Sequence, residues 1–215
     1  MPKVSRAHRE SRRQQILEAA ITCFAREGFH RTSIQDIIAE SGLSAGAIYG
    51  YFAGKDAIVA AIAENRHAHE AAMLARAMAR DDLTTALHDL AHGYVDWLRD
   101  PDERRRRRVN IQLWAEALRN PEVGAIVQRG LELREPITRA FRAARRRGRI
   151  PASLDPDALS RAMLALLHGF ILQQAWEPGI DAEAFLTVVE HVIDGLGRGA
   201  DVRGRSQARR RGKRS

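Results

Sequence analysis

The chain has 215 residues, of which 45% are hydrophobic and 29% are charged, and its formal net charge is +8. This hydrophobic share is ample for a buried core, which excludes a wholly disordered chain. A single cysteine, Cys23, excludes an internal disulfide and a cysteine-based zinc site. The sequence has no apolar run of 18 residues and no apolar stretch after its basic N-terminus, so we expect a cytoplasmic protein.

The positive charge is concentrated at the two ends of the chain. Residues 1–13 sum to +4 and residues 198–215 to +7, whereas the body, 14–197, sums to −3. Such a distribution favours a globular protein that meets a polyanion through limited surfaces.

Helical periodicity runs through nearly the whole sequence, and no alternating strand pattern stands out. The predicted helices are 9–27, 33–41, 44–50, 55–80, 83–99, 103–119, 122–147, 156–176 and 181–196. We expect Thr32 and Gln35 to form a capping box at the second helix, and Pro136 to kink the seventh rather than end it. Residues 198–215 are rich in glycine and arginine and are expected to be disordered. The fold class is therefore all-α, with about nine helices.

The second and third helices, 33–41 and 44–50, are short and are joined by a tight turn at Gly42. This spacing predicts a helix-turn-helix, in which the second helix of the pair enters the DNA major groove. Four apolar residues are spaced to meet inside the corner against Phe24, namely Ile34, Ile37, Leu43 and Ile48. The opposite side of the third helix carries mostly small residues that allow a close approach to base edges, namely Ser44, Ala45, Gly46, Ala47, Tyr49 and Gly50.

Residues 32–58, and above all the run GLSAGAIYGYFAGK at 42–55, resemble the TetR family of bacterial transcriptional regulators. The resemblance implies a DNA-binding domain at 1–54, with an N-terminal arm and three helices, and a helical ligand-binding and dimerising domain at 55–197. It also implies a homodimer on a palindromic operator. Phosphate contacts are implied for Tyr49, Tyr51 and Lys55, and base contacts for residues 44, 45, 46, 47 and 50. Thr32 is included with these DNA-binding residues.

Aromatic and histidine side chains on apolar helix faces are candidates for a small-molecule pocket, although ordinary core packing is the alternative for each. The candidates are Tyr94, Trp97, Trp114, Phe141 and His168. His88 and His92 have a spacing that can hold zinc, but no cysteine or HExxH pattern accompanies them. We therefore predict no metal site and no cofactor.

The last two predicted helices, 156–176 and 181–196, are apolar around more of their circumference than one buried face requires. We expect them to form a four-helix dimer interface with their symmetry mates, although an internal helical hairpin is the alternative. The predicted interface residues are Leu159, Met163, Leu166, Phe170, Phe185, Val189 and Ile193.

These patterns predict a ligand-responsive transcriptional repressor that an effector releases from its operator. A helical scaffold that binds DNA without sequence preference is the first alternative. An enzyme is the second, although the sequence has no nucleophile elbow, phosphate-binding glycine loop or HExxH motif. Because residues 14–60 sum to −2, the basic ends are auxiliary. We expect residues 3–13 to add phosphate contacts and residues 198–215 to matter little for specific affinity.

Overall fold

The computed structural model describes residues 6–211, with side chains for 6–196, and consists of ten α-helices over that range. The helices are α1 (Arg6–Glu27), α2 (Ile34–Ser41), α3 (Ala45–Tyr49), α4 (Lys55–Ala77), α5 (Leu83–Arg99), α6 (Pro101–Glu116), α7 (Pro121–Glu132), α8 (Glu135–Arg146), α9 (Pro156–Trp176) and α10 (Ala182–Arg211). The all-α prediction is confirmed. None of these helices has the length and hydropathy of a membrane-spanning segment.

The predicted helix 122–147 is in fact two helices, α7 and α8, so the expectation that Pro136 only kinks it was wrong. Proline has no backbone N–H, and its ring clashes with the carbonyl four residues earlier, which here belongs to Glu132. Helix α7 ends at that residue, and Pro136 takes a place in the first turn of α8, where its missing N–H costs nothing.

Helix α10 continues to Arg211, beyond the end predicted near Leu196. Residues 198–211 were predicted to be disordered, and their backbone is helical instead. The segment contains no proline, and its arginines, alanines and glutamine are good helix formers that outweigh the glycines. Residues 212–215, which belong to the same predicted disordered tail, lie outside the described residues.

The chain forms two compact units whose boundaries differ from the predicted division at residue 54. The first unit takes in the chain up to His69 together with Pro101–Leu131, and the second takes in Glu70–Asp100 together with the chain from Glu132 onward. The first unit thus contains α1, α2, α3, α6 and most of α4 and α7. The second contains the end of α4 together with α5, α8, α9 and α10.

The core of the first unit joins the N-terminal helices to α6 and α7. Ile16, Leu17 and Phe24 of α1 pack in one buried cluster with Val109 of α6 and Val123 of α7. Gln112 of α6 fastens the end of α1, because its Nε2 donates to the Phe24 carbonyl (3.3 Å) and its Oε1 accepts from the Phe29 N–H (2.8 Å). Residues more than 80 positions apart are therefore needed to complete the N-terminal helical core.

The second unit has its own core, in which the fully buried Phe141 of α8 packs with Leu87 of α5 and Ile193 of α10. Two buried hydroxyls cross it: Thr138 of α8 and Ser160 of α9 lie 2.7 Å apart. One of the two hydroxyls donates to the other, and the second donates to a carbonyl of its own helix region, so this polar pair is satisfied within the core.

Candidate nucleic-acid interface

The corner between α2 and α3 is fixed by three capping residues. Gly42 has a left-handed φ of 66°, which a residue with a Cβ adopts only with strain. The Ser33 Oγ accepts from the Asp36 N–H at 3.2 Å, and the Asp36 carboxylate accepts from the N–H and hydroxyl of Ser33, both at 2.7 Å. Ser44 caps α3 through its Oγ, which accepts from the Ala47 N–H at 3.2 Å. The ends of both helices are therefore set by local hydrogen bonds.

The capping box corrects one prediction, because it uses Ser33 and Asp36 rather than Thr32 and Gln35. The hydrogen bonds from the N–H and hydroxyl of Ser33 lower the pKa of Asp36, since they stabilise the carboxylate form. A shorter acid in this position serves the same purpose as the glutamine that the pattern suggested.

The predicted inner face of the corner is confirmed. Phe24, Ile37 and Ile48 are fully buried, and Ile34 and Leu43 are half-buried against the same cluster. One side of the five-residue helix α3 is thus held against α1 and α2, which leaves its other side free to contact DNA.

The outer side of α3 is exposed as predicted. Ser44, Ala45, Gly46, Tyr49 and Gly50 are exposed, and residue 47 is half-buried. Tyr49 is 52% exposed and is the one large side chain of this face. A Cβ placed on Gly46 would meet no atom within 4 Å, so the space in front of the helix backbone is open. This surface can approach a groove closely, with a phenol hydroxyl at its end to reach a phosphate.

Thr32 is wrongly placed among the DNA-binding residues. Its side chain is 1% exposed, and its hydroxyl donates to the Gly28 carbonyl at 2.9 Å. A buried hydroxyl that is already paired cannot reach a phosphate. Tyr51 is half-buried against the core of the first unit, and its phosphate contact stays a prediction.

Lys55 has a different environment from the one that the resemblance implies. Its Nζ donates to the carbonyls of Phe29 (2.9 Å) and Thr32 (3.1 Å) and lies 4.6 Å from the centre of the Phe29 ring. The ammonium thus ties the start of α4 to the α1–α2 connection. Sequence reasoning missed this role because the partners are backbone carbonyls, which leave no residue pattern.

The described part of the basic N-terminal arm is the beginning of α1. Arg6 and Arg9 are exposed, whereas Arg12 donates to Gln15 at 2.8 Å and Arg13 lies 5.7 Å from the centre of the Phe52 ring. Arg6 and Arg9 are therefore the described arm residues with the greatest freedom to contact DNA.

The predicted pocket residues belong to both units. Trp114 belongs to the first unit, and the other four belong to the second. Within the second unit, Tyr94 and Trp97 are neighbours whose ring centres lie 6.0 Å apart, His168 is half-buried, and Phe141 lies fully in the core. Their role in ligand binding stays a prediction.

Three of the predicted interface residues are core residues instead: Phe170, Val189 and Ile193 are buried within the second unit. Leu159, Met163 and Phe185 are half-buried against that core, and Leu166 is 43% exposed. The more exposed apolar residues of the same two helices are Trp176 (75%), Val188 (62%) and Val192 (43%). Because α9 and α10 are apolar on two sides, periodicity alone could not decide which side faces inward.

His88 and His92 of α5 each face a carboxylate of α10. The distances from their Nε2 atoms are 3.1 Å to Asp194 and 2.8 Å to Glu190. These pairs join α5 to α10 within the second unit.

A short helix presented on a capped corner, buried on one side and lined with small exposed residues on the other, defines a helix-turn-helix DNA-binding protein. Residues 16–62 match the bacterial regulatory proteins of the tetR family, and residues 87–198 match the C-terminal region of BetI-type transcriptional repressors. The chain belongs to the TetR family of transcriptional regulators.

Relatives of the same family match along most of their length. The chain is 29% identical to the transcriptional repressor Rv1474c of Mycobacterium tuberculosis, over 92% of this chain and all of the relative. It is 30% identical to the regulator TtgR of Pseudomonas putida, over 90% of this chain and 93% of the relative. Among solved structures, the complex of SmeT with triclosan has a TM-score of 0.66 and 26% identity, covering 85% of this chain and 90% of that one.

The protein is thus a DNA-binding transcriptional regulator and not an enzyme. Regulators of this family bind DNA and small-molecule effectors, typically as dimers.

Proposed function

We propose that the protein is a homodimeric repressor that binds a palindromic operator through α3 and is released when a small-molecule effector binds. The exposed small-residue face of α3, fixed by Gly42 and Ser44, is the observation that carries this proposal. The relation to Rv1474c, which is named as a repressor, favours repression over activation.

Close approach, rather than long side chains, is the mode of DNA reading that this face supports. Residues 44–47 and 50 offer no arginine, glutamine or asparagine for a bidentate contact with a base. Their small size lets the helix backbone and the Ser44 hydroxyl come near the base edges, while Tyr49 contacts a phosphate. We therefore expect groove shape and deformability to contribute much of the specificity.

The exposed apolar side of α9 and α10 is our proposed dimer surface. Leu166 and Trp176 of α9 and Val188 and Val192 of α10 are exposed in the monomer, although a surface helix normally places polar residues there. A Cβ added to Gly169 or Gly195 on the same helices would meet nothing within 4 Å. A two-fold axis at this surface would pair two recognition helices for half-sites about 34–36 Å apart.

Effector binding is proposed for the second unit. The aromatic neighbours Tyr94 and Trp97, together with Phe141 and His168, are the residues that we propose for the pocket. The solved complex of SmeT with triclosan supports effector binding by a protein of this fold. Helix α4 runs without interruption from the first unit into the second, and we propose this covalent connection, one of three between the units, as the one through which effector binding alters DNA affinity.

DNA affinity tests the proposed operator recognition. We expect the protein to bind a fragment from upstream of its own gene at least 10³-fold more tightly than random DNA at the same salt concentration. A ratio near one, measured by fluorescence anisotropy, would favour the non-specific scaffold. The Tyr49→Phe variant should lose about fivefold in operator affinity, because one hydrogen bond is removed.

Sedimentation tests the proposed dimer surface. The single variants Val188→Asp and Val192→Asp should each convert the dimer to monomer at micromolar concentration, because each substitution would bury an unpaired carboxylate in the interface. Leu118→Asp is the matched control, because Leu118 is 88% exposed and belongs to the first unit, whereas α9 and α10 belong to the second. If all three variants remain dimeric, the dimer surface lies elsewhere.

A further inference from the structure

The second unit has a depression of about 290 Å³ between the α4–α5 connection and α8. None of the five aromatic and histidine residues predicted from the sequence for a small-molecule pocket lines it. It is lined by Met78, Arg80, Asp81, Leu83, Ala86, Pro136, Arg139, Ala140, Ala143, Ala144, Arg147 and Arg149.

The floor of this depression is apolar because α8 presents small side chains there. Pro136, Ala140 and Ala143 are spaced by four and three residues and therefore share one face of α8. Met78 and Leu83 supply apolar surface from the connection that precedes α5 and from its first residue. Because alanine is small, its positions on this face of α8 leave room for a small apolar group of a ligand.

The rim of the depression is strongly basic. Its four arginines outnumber its one acid, Asp81, which gives the lining residues a net charge of +3. Arg80 is paired with Asp89 at 2.7 Å, and Arg149 lies 3.8 Å from Asp82. An apolar floor below a surplus of guanidinium groups is an arrangement that packing of the unit does not require.

Two of the rim arginines are available for a ligand. Arg139 and Arg147 are both exposed: Arg139 lies in α8, and Arg147 is the residue that directly follows the helix. Within the part of the chain that the structure describes, neither has a carboxylate partner. Their guanidinium groups are therefore available to an anionic ligand.

We infer that this depression binds a small organic anion, a carboxylate or a phosphate monoester carried on an apolar body. Guanidinium groups recognise both kinds of anion through paired N–H donors, and the alanine and methionine floor accepts the apolar body. The volume lies at the lower end of the ~300–1,000 Å³ range of small-molecule sites, so the ligand is small. This site does not depend on the proposed repressor function, because binding to it can be measured without DNA.

Calorimetric titration of the full-length protein tests the inference with four probes. Naphthoate and naphthyl phosphate carry the two anionic groups on one apolar body, naphthamide is the neutral counterpart, and inorganic phosphate is the anion without the body. We expect saturable binding of at least one of the two naphthyl anions. Naphthamide and inorganic phosphate should each bind at least tenfold more weakly than that anion. The stronger of the two naphthyl anions identifies the preferred headgroup. Equal binding of the naphthyl anion and inorganic phosphate would overturn the apolar part of the inference.

Two double variants, one inside the depression and one outside it, test where the anion binds. The double variant Arg139→Gln with Arg147→Gln should weaken binding of the naphthyl anion about tenfold or more, because hydrogen bonds to a charged group are lost. Arg142→Gln with Arg146→Gln removes the same charge from α8 outside the depression and should leave affinity within about twofold. Equal losses in both double variants would show a diffuse charge effect and overturn the site.

A third variant fills the floor and keeps every charge. Ala143→Leu should abolish binding of the naphthyl anion while thermal unfolding shows that the protein remains folded. If Ala143→Leu unfolds the unit, Ala140→Val provides the same test with less added volume. Unchanged affinity in a folded, filled variant would place the anion elsewhere.

Discussion

Replacing Lys55 with methionine separates its internal role from a role in DNA contact. The Lys55→Met side chain has a similar length but no ammonium, so the carbonyls of Phe29 and Thr32 lose their donor and the Phe29 ring loses its cation. If the tie is as important as the geometry indicates, the variant is less stable in the absence of DNA.

The expected cost follows from the three contacts. A hydrogen bond from a charged donor contributes about 1.5–3 kcal/mol when buried, and a partly exposed cation–π contact adds about 0.5–1 kcal/mol. Lys55 is half-buried, and water can reach the abandoned carbonyls, so we take about 1 kcal/mol for each hydrogen bond. The total is about 2–3 kcal/mol, or a decrease of roughly 5–10 °C in Tm for a chain of this size.

Thermal unfolding followed by circular dichroism, with and without operator, is the measurement. Tyr49→Phe serves as the comparison, because its exposed hydroxyl contacts no residue in the described part of the chain and its loss should leave Tm unchanged. A Lys55→Met protein with unchanged Tm, and with a salt dependence of DNA binding reduced by about one unit, would refute the internal tie and restore the phosphate contact.

Four further predictions concern local stability. Ser33→Ala should cost about 1 kcal/mol in unfolding experiments by removing the α2 cap. The pKa of Asp36 is lowered in the folded state, so its contribution to the free energy of unfolding is present at neutral pH and is lost as the pH falls through that lowered pKa. Asp36→Asn should therefore remove this component from the acid-unfolding curve. An unchanged curve would contradict this prediction. Gly42→Ala should cost about 1–2 kcal/mol from its left-handed φ alone, since no atom obstructs the added Cβ. Thr138→Val should cost about 1–2 kcal/mol in stability, because it removes one partner of a buried hydroxyl pair. The double variant Thr138→Val with Ser160→Ala should recover most of that loss. Purely additive losses would argue against an energetic coupling between the two hydroxyls.

The helix-turn-helix was predictable because its determinants are local. The glycine of the turn, the serine caps and the apolar residues of the corner all lie between Phe24 and Ile48, and the structure confirms Gly42, Ser44 and Ile48 in those positions. The capping box was misplaced by one residue because neighbouring Thr32 and Ser33 are both good caps. Only the backbone path decides which of the two is buried.

The features that sequence reasoning missed depend on contacts between distant segments. Periodicity identified α9 and α10 as apolar, but burial of Phe170, Val189 and Ile193 follows from their packing with other helices of the second unit. The Lys55 contacts are a further example, because a carbonyl partner can belong to any residue. The depression beside Arg139 was equally hidden, since its walls come from segments more than 50 residues apart.

The discontinuity of the first unit limits how this regulator can be recombined with others. A chimera that joins residues 1–54 to the remainder of another regulator would leave behind Val109, Gln112 and Val123, which complete the packing around α1. The transplanted helices would then meet a foreign surface where their own α6 and α7 belong. A new promoter specificity is better introduced by changing the outward residues of α3, which contribute little to that packing, than by exchanging the N-terminal segment as a block.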